Sequence, residues 1–268
     1  MPHLKANGIS LYFETRGSGE RLLFISGTGG DLRVKPNVFD SPLGARFEIL
    51  SYDQRGLGQS DKPDVDYTMA DYADDAAALL DALGWGPVPV MGVSFGGMVA
   101  QELALRHSHQ VSALVLACTS PGGAGGASFP LQDLEQLPDD VRPARHLELA
   151  DLRRDAAWRE ANPERWQALL SMAAAGRRND RDLMGARRQL MARAGHDTFT
   201  RLPGLDMPVL LVGGEFDGIA PKANMEAMAA QIAAAELQFF AGGHLFLIQD
   251  KSAYPFVIQW LNGLSGRA

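Results

Sequence analysis

A serine flanked by glycines stands between an apolar run and a helical pattern, in the pentapeptide Gly92-Val93-Ser94-Phe95-Gly96. A serine on a tight strand-to-helix turn projects its hydroxyl clear of the backbone, where it can attack an electrophilic carbon. Side chains two residues to either side would collide in such a turn, so glycine suits positions 92 and 96, and Gly97 adds room. We therefore interpret Ser94 as a nucleophile rather than as a serine in an ordinary tight turn.

A serine hydroxyl is a weak nucleophile at neutral pH and needs a general base, which is most often histidine. His244 is the best placed, because it follows the last predicted strand in the glycine loop Gly242-Gly243-His244, which leaves the ring free to reach a neighbouring strand end. A structural histidine that caps the final helix is the alternative. The remaining histidines are His3 in an N-terminal segment expected to be irregular, His107 and His109 after the helix that follows Ser94, and His146 and His196 in a helical insertion.

An acidic side chain must orient the histidine, and it should follow a neighbouring strand. The apolar run 209–212 is followed by Gly213-Gly214-Glu215-Phe216-Asp217-Gly218. We predict Asp217 as the acid because its loop runs on into the next helix, and Glu215 is the fallback. Helix capping is the alternative role for Asp217. The strand that ends near Cys118 has no carboxylate close after it, which removes the main competing position.

Attack on a carbonyl creates an oxyanion, which backbone N–H groups must stabilise. The predicted donors are the N–H of Phe95, directly after the nucleophile, and the N–H of Thr28 in the glycine-rich loop 26–30, with Gly29 as the next choice. This loop begins like a dinucleotide-binding fingerprint, but Leu32 stands where the third glycine is required. The sequence contains no phosphate-binding loop, His-Glu-x-x-His helix or paired-cysteine motif, so we expect neither cofactor nor metal.

Short apolar runs, most of them followed by a helical pattern, predict the elements that position these residues. Strands are predicted at 9–14, 21–26, 47–52, 88–93, 113–117, 209–213 and 236–240, and helices at 69–83, 95–107, 222–235 and 254–261. Thr68 is the predicted N-cap of the first helix. Continuous apolar runs are typical of strands buried on both faces of a parallel sheet. The alternation predicts an α/β fold with a mostly parallel central sheet flanked by helices.

The strand pattern stops between about residues 121 and 205, where a glycine-rich joint leads into helical, arginine-rich sequence. We expect residues 1–120 and 206–268 to form the sheet domain and residues 121–205 to form a helical cap over its carboxyl edge. We interpret the arginines of the cap as a solvated helix face. The candidates for lining an apolar substrate pocket, with core packing as the alternative, are Gly29, Met98, Phe129, Trp158 and Trp166.

The composition excludes several classes of protein. With a net charge of -7, the chain lacks the basic surface that nucleic-acid binding requires. Its one cysteine, Cys118, cannot form an intrachain disulfide. Neither a signal-peptide pattern nor an apolar run long enough to span a bilayer is present. We therefore expect a cytoplasmic protein with a small-molecule substrate and no membrane partner, of undetermined oligomeric state.

Taken together, these motifs resemble the α/β-hydrolase fold family, in which nucleophile, acid and histidine follow one another in this order along the chain. The segment from Asp53 to Ser60 resembles the family's Asp-x-Arg-Gly-x-Gly-x-Ser pattern. This resemblance implies that Arg55 anchors an ion pair. One departure is Ser26-Gly27, where members commonly carry His-Gly, and it bears on the geometry of the oxyanion loop.

The residues and the resemblance predict a serine hydrolase with a Ser-His-Asp triad that cleaves a small-molecule carboxylic ester or lactone through an acyl-enzyme. The resemblance also implies two alternatives with the same triad: a carbon–carbon bond hydrolase of a meta-cleavage-type diketone and a cofactor-free haloperoxidase or perhydrolase. Haloalkane dehalogenation is disfavoured, since it needs an aspartate at position 94. A non-catalytic ligand receptor on the same fold is the alternative from another functional class.

Overall fold

The predicted strands assemble into one sheet in the computed structural model of this chain, which describes residues 2–175, 180–233 and 235–265. The strands are β1 His3–Ala6, β2 Ile9–Arg16, β3 Glu20–Ile25, β4 Phe47–Tyr52, β5 Val88–Val93, β6 Val111–Ala117, β7 Val209–Gly214 and β8 Ala235–Phe240. Within the described residues the sheet has eight strands in the order β1-β2-β4-β3-β5-β6-β7-β8. β1 and β2 run antiparallel to their neighbours and the other pairs are parallel. The predicted α/β architecture is confirmed.

The helices lie on both faces of the sheet and beyond its carboxyl edge. They are α1 Met69–Leu83, α2 Phe95–Arg106, α3 Arg142–Ala150, α4 Ala156–Ala161, α5 Pro163–Ala175, α6 Asp180–Ala194, α7 Lys222–Gln231, α8 Phe246–Gln249 and α9 Ala253–Ser265. The predicted N-cap of α1 is confirmed, because the Thr68 side chain accepts a hydrogen bond from the Asp71 N–H and the Asp71 carboxylate accepts one from the Thr68 N–H.

Two expectations about the elements were wrong. The N-terminal segment around His3 forms β1, a mostly exposed edge strand that pairs only with β2. Its short, largely exposed sequence carries no apolar run that could have indicated a strand. The predicted helix 222–235 ends at Gln231, because Ala235 begins β8 by pairing with Val209. Strand pairing there overrides the helical propensity of alanine.

The apolar strands fill a core on each side of the sheet. Successive residues of a strand point to opposite faces. On β6, Leu114 and Leu116 pack in the cluster that includes α1, α2 and α7, whereas Val115 and Ala117 pack in the cluster that includes α9. A strand with both faces buried must be apolar at every position, which explains the continuous apolar runs.

Between β6 and β7 the chain leaves the sheet and forms α3 to α6. Its two ends approach each other, since Gly122 and Asp197 form an isolated antiparallel bridge. Leu202 and Leu205, near the end of the predicted insertion, are already buried in the core of the sheet. The boundaries of the cap at 121 and 205 stay a prediction. No helix among the described residues is long and apolar enough to cross a membrane.

Candidate active site

Ser94 occupies the turn between β5 and α2 in a strained backbone conformation, with φ 55° and ψ -117°. A positive φ is uncommon for a residue other than glycine and is tolerated where the surroundings fix it. The Ser94 N–H donates to the Ala117 carbonyl oxygen at 2.8 Å, and the Ser94 carbonyl accepts from Thr119 Oγ1 at 2.7 Å. The end of β6 therefore holds the turn.

The glycines around Ser94 are required by close backbone contacts. A Cβ on Gly92 would lie 2.3 Å from the Gly96 carbonyl oxygen, and one on Gly96 would lie 2.1 Å from the Ile25 carbonyl oxygen. A Cβ on Gly97 would lie 2.6 Å from the Cβ of Thr119. The steric interpretation of the pentapeptide is confirmed.

His244 connects Ser94 to an acid. Its Nε2 lies 2.9 Å from Ser94 Oγ, and its Nδ1 lies 2.7 Å from Asp217 Oδ2. The backbone of His244 is held as well, because its N–H donates to the Ala150 carbonyl oxygen at the end of α3 at 2.7 Å. A Cβ on Gly243 would lie 2.0 Å from that same carbonyl oxygen, so the loop needs glycine there.

Asp217 is buried and held by its own loop. Its Oδ1 accepts from the backbone N–H of Ile219 at 2.8 Å and of Ala220 at 2.9 Å, which leaves Oδ2 for His244. The fallback acid, Glu215, is exposed. Nor does Asp217 cap α7, whose N-cap residue is Pro221. The structure thus brings the three residues singled out from the sequence into one hydrogen-bonded chain.

The predicted oxyanion loop lies against the nucleophile. A Cβ on Gly27 would be 3.5 Å from the Cβ of Ser94. Among the described residues, the backbone N–H groups of Thr28 and Phe95 have no hydrogen-bond partner. The N–H of Gly29, the second choice from the sequence, donates to Gln189 Oε1 on α6 at 2.7 Å. Of the two candidates in this loop, Thr28 is therefore the one whose N–H is available for an oxyanion.

The departure from the family's His-Gly pattern is accommodated by a glutamine. The buried Gln54, which follows β4, donates through Nε2 to the Ser26 carbonyl oxygen at 2.7 Å and to Ser26 Oγ at 3.3 Å. A Cβ on Gly30 would lie 2.1 Å from Ser26 Oγ. The small serine and the glutamine together hold the loop without a histidine.

The arginine of the Asp53 to Ser60 segment is an ion-pair anchor, as the resemblance implied. Arg55 Nε and Nη2 donate to the two carboxylate oxygens of Asp75 on α1, both at 2.6 Å, and both side chains are buried. Burial raises the pKa of the Asp75 carboxyl, and the hydrogen bonds from Arg55 oppose that shift. This pair locks the segment to α1.

Cys118 lies close to two residues of the triad, Asp217 and His244. Its Sγ, a carboxylate oxygen of Asp217 and a ring nitrogen of His244 all lie within 4.8 Å of one another. The Asp217 and His244 side chains already hydrogen-bond to each other. Burial, and then the negative charge of Asp217, raise the pKa of the Cys118 thiol well above its usual range. The thiol therefore stays neutral at physiological pH.

We expect Cys118 to resist alkylation in the native protein, because a buried thiol with a raised pKa forms little thiolate. Iodoacetamide at pH 8, followed by mass spectrometry of the intact protein, should leave the folded chain unmodified over a time in which free cysteine reacts fully. In guanidinium chloride the same treatment should add one carbamidomethyl group, since the chain has one cysteine. Rapid alkylation of the folded protein would contradict this burial.

The other histidines named from the sequence lie outside the triad, and two of them have hydrogen-bond partners of their own. His107 pairs with Asp74 at 2.8 Å, and His3 contacts the Gln59 carbonyl. His146 on α3 is exposed, although desolvation by the surrounding protein, and then His244, lower its pKa. His196 is 6% exposed, and desolvation lowers its pKa to about 4.

We expect His196 to make the fold sensitive to acid. Between about pH 6.5 and pH 4, His196 is protonated in the unfolded chain but stays neutral in the native protein. The unfolding free energy therefore falls as the pH falls through this range. In the variant His196→Gln, the decrease in unfolding free energy between these two pH values should be smaller by up to about 3 kcal/mol. Urea unfolding at both ends of the range would measure it, and exposed His109→Gln is the control. Equal pH dependence in His196→Gln and the unmodified protein would contradict the prediction.

The five pocket candidates have different surroundings. Met98, one turn into α2, lines a cavity, and the Phe129 carbonyl accepts a hydrogen bond from Arg193. Trp158 lies in a groove with Leu245 and Ile248, its ring beneath Arg165, and Trp166 lies beneath Arg159. Gly29 contributes to the oxyanion loop through its bond to Gln189.

Sequence reasoning missed two residues of α6, Gln189 and Arg193. Both are buried, at 0% and 4% exposure, whereas the sequence interpretation gave the cap arginines a solvated face. For Arg193 that interpretation was wrong. The available signal was the spacing of Gly185, Gln189 and Arg193, four residues apart, which places all three on one face of a helix.

Comparison with known proteins agrees with this architecture. A sequence profile of the α/β-hydrolase fold family matches residues 20–251, and the chain therefore belongs to this family. It is 31% identical to the poly(3-hydroxyalkanoate) depolymerase of Ectopseudomonas oleovorans over 251 residues, 92% of this chain and 86% of that protein. It is 27% identical to the 2-hydroxymuconate semialdehyde hydrolase of Pseudomonas sp. strain CF600, over 94% of this chain and 90% of that one.

Among solved structures, the fold is similar to that of the enol-lactonase from Burkholderia xenovorans LB400. The TM-score is 0.77 at 22% identity, over 98% of this chain and 100% of that one. At this level of identity the likeness concerns the fold. The chain is therefore similar to proteins that are named as hydrolases of several different substrates.

Proposed function

We propose that this chain is a serine hydrolase that cleaves small-molecule carboxylic esters or lactones through an acyl-enzyme. The observation that carries the proposal is the chain of hydrogen bonds from Asp217 through His244 to Ser94 Oγ, at 2.7 and 2.9 Å. Nucleophile, base and orienting acid within hydrogen-bond reach of one another define this mode of catalysis.

In acylation, Ser94 Oγ attacks the carbonyl carbon of the ester while its proton passes to His244 Nε2. The carbonyl oxygen becomes an oxyanion, which accepts hydrogen bonds from the N–H groups of Thr28 and Phe95. Collapse of this intermediate breaks the bond to the alcohol oxygen, which takes the proton from His244. The products are a free alcohol and an ester of Ser94.

In deacylation, His244 Nε2 removes a proton from water as the water oxygen attacks the acyl carbon. A second oxyanion forms in the same place and collapses, the bond to Ser94 Oγ breaks, and Ser94 recovers its proton from His244. Asp217 keeps its carboxylate on Nδ1 throughout and stabilises the imidazolium that each step creates. Its two bonds from the backbone N–H groups of Ile219 and Ala220 hold it in position.

We further propose that the insertion 121–205 is the cap of this site. Gln189 of α6 binds the Gly29 N–H of the oxyanion loop, and a Cβ on Gly185 would lie 1.7 Å from the Gly56 carbonyl oxygen, so the helix backbone packs directly on the sheet domain there. A cap in such contact with the loop determines which substrates reach Ser94.

The names of relatives suggest which substrates to assay. A poly(3-hydroxyalkanoate) depolymerase at 31% identity favours ester bonds, including short 3-hydroxyacyl esters. The 2-hydroxymuconate semialdehyde hydrolase at 27% identity supports the inclusion of a meta-cleavage diketone, whose hydrolysis would use the same triad.

The test combines covalent labelling with turnover. A fluorophosphonate should modify Ser94, identified by peptide mass spectrometry, and should abolish hydrolysis of p-nitrophenyl esters. Faster turnover of the diketone than of any ester would favour carbon–carbon bond hydrolysis over ester hydrolysis as the activity of this site. Folded protein that neither binds the label nor cleaves any substrate would overturn the proposal in favour of a non-catalytic receptor.

A further inference from the structure

A groove of about 620 Å³ is lined by residues of the proposed cap and of the segment 241–249, which carries His244. Its apolar lining consists of Trp158, Leu169, Met172, Ala241, Leu245 and Ile248. Three of these side chains are largely exposed for apolar residues, with Leu245 at 46%, Met172 at 73% and Ile248 at 74%. Small-molecule sites in proteins are mostly apolar concavities of about 300 to 1,000 Å³ with a few polar groups. The groove therefore has the size and the apolar character of a binding site.

The polar lining of this groove carries more positive than negative charge. It consists of Asp151, Arg153, Arg154, Arg165 and Gln249. Three arginines thus accompany one aspartate, in a chain whose net charge is -7. A concave surface lined by an excess of one sign of charge concentrates ligands of the opposite sign, so this groove favours an anion.

The carboxylate of Asp151 is already engaged by neighbours other than Arg154 and Arg165. Its Oδ1 accepts from Arg153 Nε at 2.9 Å, and its Oδ2 accepts from Arg153 Nη2 at 2.8 Å and from Gln249 Nε2 at 3.0 Å. Arg154 Nη2 lies 4.0 Å from Oδ2, which is beyond hydrogen-bond distance. Asp151 therefore neutralises Arg153 and forms no hydrogen bond with the other two arginines.

Arg154 and Arg165 keep unused donors. Arg154 donates through Nη1 to the Leu147 carbonyl oxygen at 3.0 Å, and 10% of its side chain is exposed. Its Nε and Nη2 form no hydrogen bond with a described residue, and neither atom is fully enclosed by protein. Arg165 has no carboxylate partner in the described part of the chain, where its guanidinium lies over the Trp158 ring, 5.7 Å from the centroid.

The positive charges of this groove act on one another. Desolvation lowers the pKa of Arg154, the charge of Asp151 opposes this shift, and the charges of Arg153 and then Arg165 add to it. Both Arg154 and Arg165 stay protonated at physiological pH, because arginine does not lose its proton in proteins. A bound anion would relieve the repulsion between these two cations, since no carboxylate of the described chain pairs closely with either.

We propose that this groove binds an amphiphilic anion, namely an alkyl chain that ends in a carboxylate. The carboxylate lies between Arg154 and Arg165, because a guanidinium holds a carboxylate through parallel hydrogen bonds. The alkyl chain packs on Leu245 and Ile248, which are thereby removed from water. The ligand is a free molecule rather than a membrane surface, since Arg154 is recessed and a flat bilayer would not reach it.

The site is distinct from the triad but connected to it. None of the described residues that line the groove belongs to the triad. Gln249 links the two, because its Nε2 donates to Asp151 Oδ2 while its Oε1 accepts from the Gly243 N–H at 2.7 Å, next to His244. Binding in the groove is therefore independent of whether Ser94 hydrolyses esters.

The test uses decanoate below its micellar concentration. Calorimetric titration of the full chain should detect its binding, and decan-1-ol should bind at least about 10-fold more weakly because it lacks the charge. Butanoate should bind at least about 100-fold more weakly, since it lacks six of the methylene groups. Trp158 provides a second readout. Decanoate should change the fluorescence of the chain, which has four tryptophans, and Trp158→Phe should remove most of that change.

Two variants assign the binding to this groove. Arg165→Gln should raise the Kd for decanoate by about 10-fold or more, because it removes one of the two charged partners of the carboxylate. Arg187→Gln, at an exposed arginine of α6 that does not line the groove, is the matched control and should stay within about 2-fold. Ile248→Glu should also weaken binding by about 10-fold or more, since it places a negative charge in the apolar wall. Position 248 is exposed, so this variant should fold.

Three results would overturn the proposal. The first is the absence of both heat and a fluorescence change when decanoate is added. The second is a Kd for decan-1-ol equal to that for decanoate, or decanoate binding that neither Arg165→Gln nor Ile248→Glu weakens, because the ligand would then lie elsewhere. The third is association with phosphatidylglycerol vesicles without binding of monomeric decanoate, which would make the groove a membrane-binding surface.

Discussion

Replacing Ser94 with alanine is expected to lower kcat for ester hydrolysis by about 10⁴- to 10⁶-fold, because the covalent route is lost and only binding and oxyanion stabilisation remain. Within the part of the chain that the structure describes, the Ser94 side chain makes one hydrogen bond, to His244, so the variant should fold with an unfolding free energy within about 0.5 kcal/mol of the original. Steady-state kinetics on p-nitrophenyl butyrate and urea unfolding measure the two quantities.

Ser112→Ala is the matched control for this variant. Ser112 is an exposed serine near the start of β6, at the end of the sheet opposite to Ser94. Its replacement should leave kcat unchanged. Full esterase activity in the Ser94→Ala protein would show that another group is the nucleophile, whatever the geometry around His244.

The second large effect concerns stability. Replacing Arg55 with alanine should lower the unfolding free energy by about 3 to 5 kcal/mol, because it leaves the carboxylate of Asp75 buried without its cation. Asp75 is 0% exposed, and its remaining side-chain partner is Asn7, which donates to it at 2.9 Å. In a chain of this size the loss corresponds to a decrease in Tm of about 10 °C.

A neighbouring exposed pair provides the control for Arg55. Asp74, adjacent to Asp75 on α1, pairs with Arg106 at 2.9 Å in a much more accessible position. Arg106→Ala should cost about 0 to 1 kcal/mol, since water screens the pair. The double variant Arg55→Leu, Asp75→Leu should recover part of the loss by removing both charges. Equal losses for Arg55→Ala and Arg106→Ala would show that the buried pair has no special role.

Much of the site could be predicted because its residues follow strands directly. The order of short apolar runs predicted a parallel sheet, and the carboxyl ends of parallel strands meet at one edge. Ser94 follows β5, Asp217 follows β7 and His244 follows β8, so one topological inference brought all three together. The elements with continuous apolar sequence, such as β4 and β5, have the predicted bounds for the same local reason.

The edge strand β1 and the end of α7 could not be predicted, because their states depend on pairing with distant residues. The pocket candidates Trp158 and Trp166 stay predictions; the structure places Arg165 over the ring of Trp158 and Arg159 over the ring of Trp166. Residue type alone does not indicate which face of a cap helix is turned toward the sheet.

The sequence by itself determined the nucleophile turn and the order of its partners, since the spacing of glycines and apolar residues fixes local backbone structure. Only the tertiary structure decided that Gln189 meets the Gly29 N–H of a loop 160 residues earlier and that Arg193 is buried beside the site. Helical periodicity places these two residues on one face, but the packing of α6 on the sheet domain turns that face inward. This packing depends on contacts between remote segments, which no local pattern in the chain encodes.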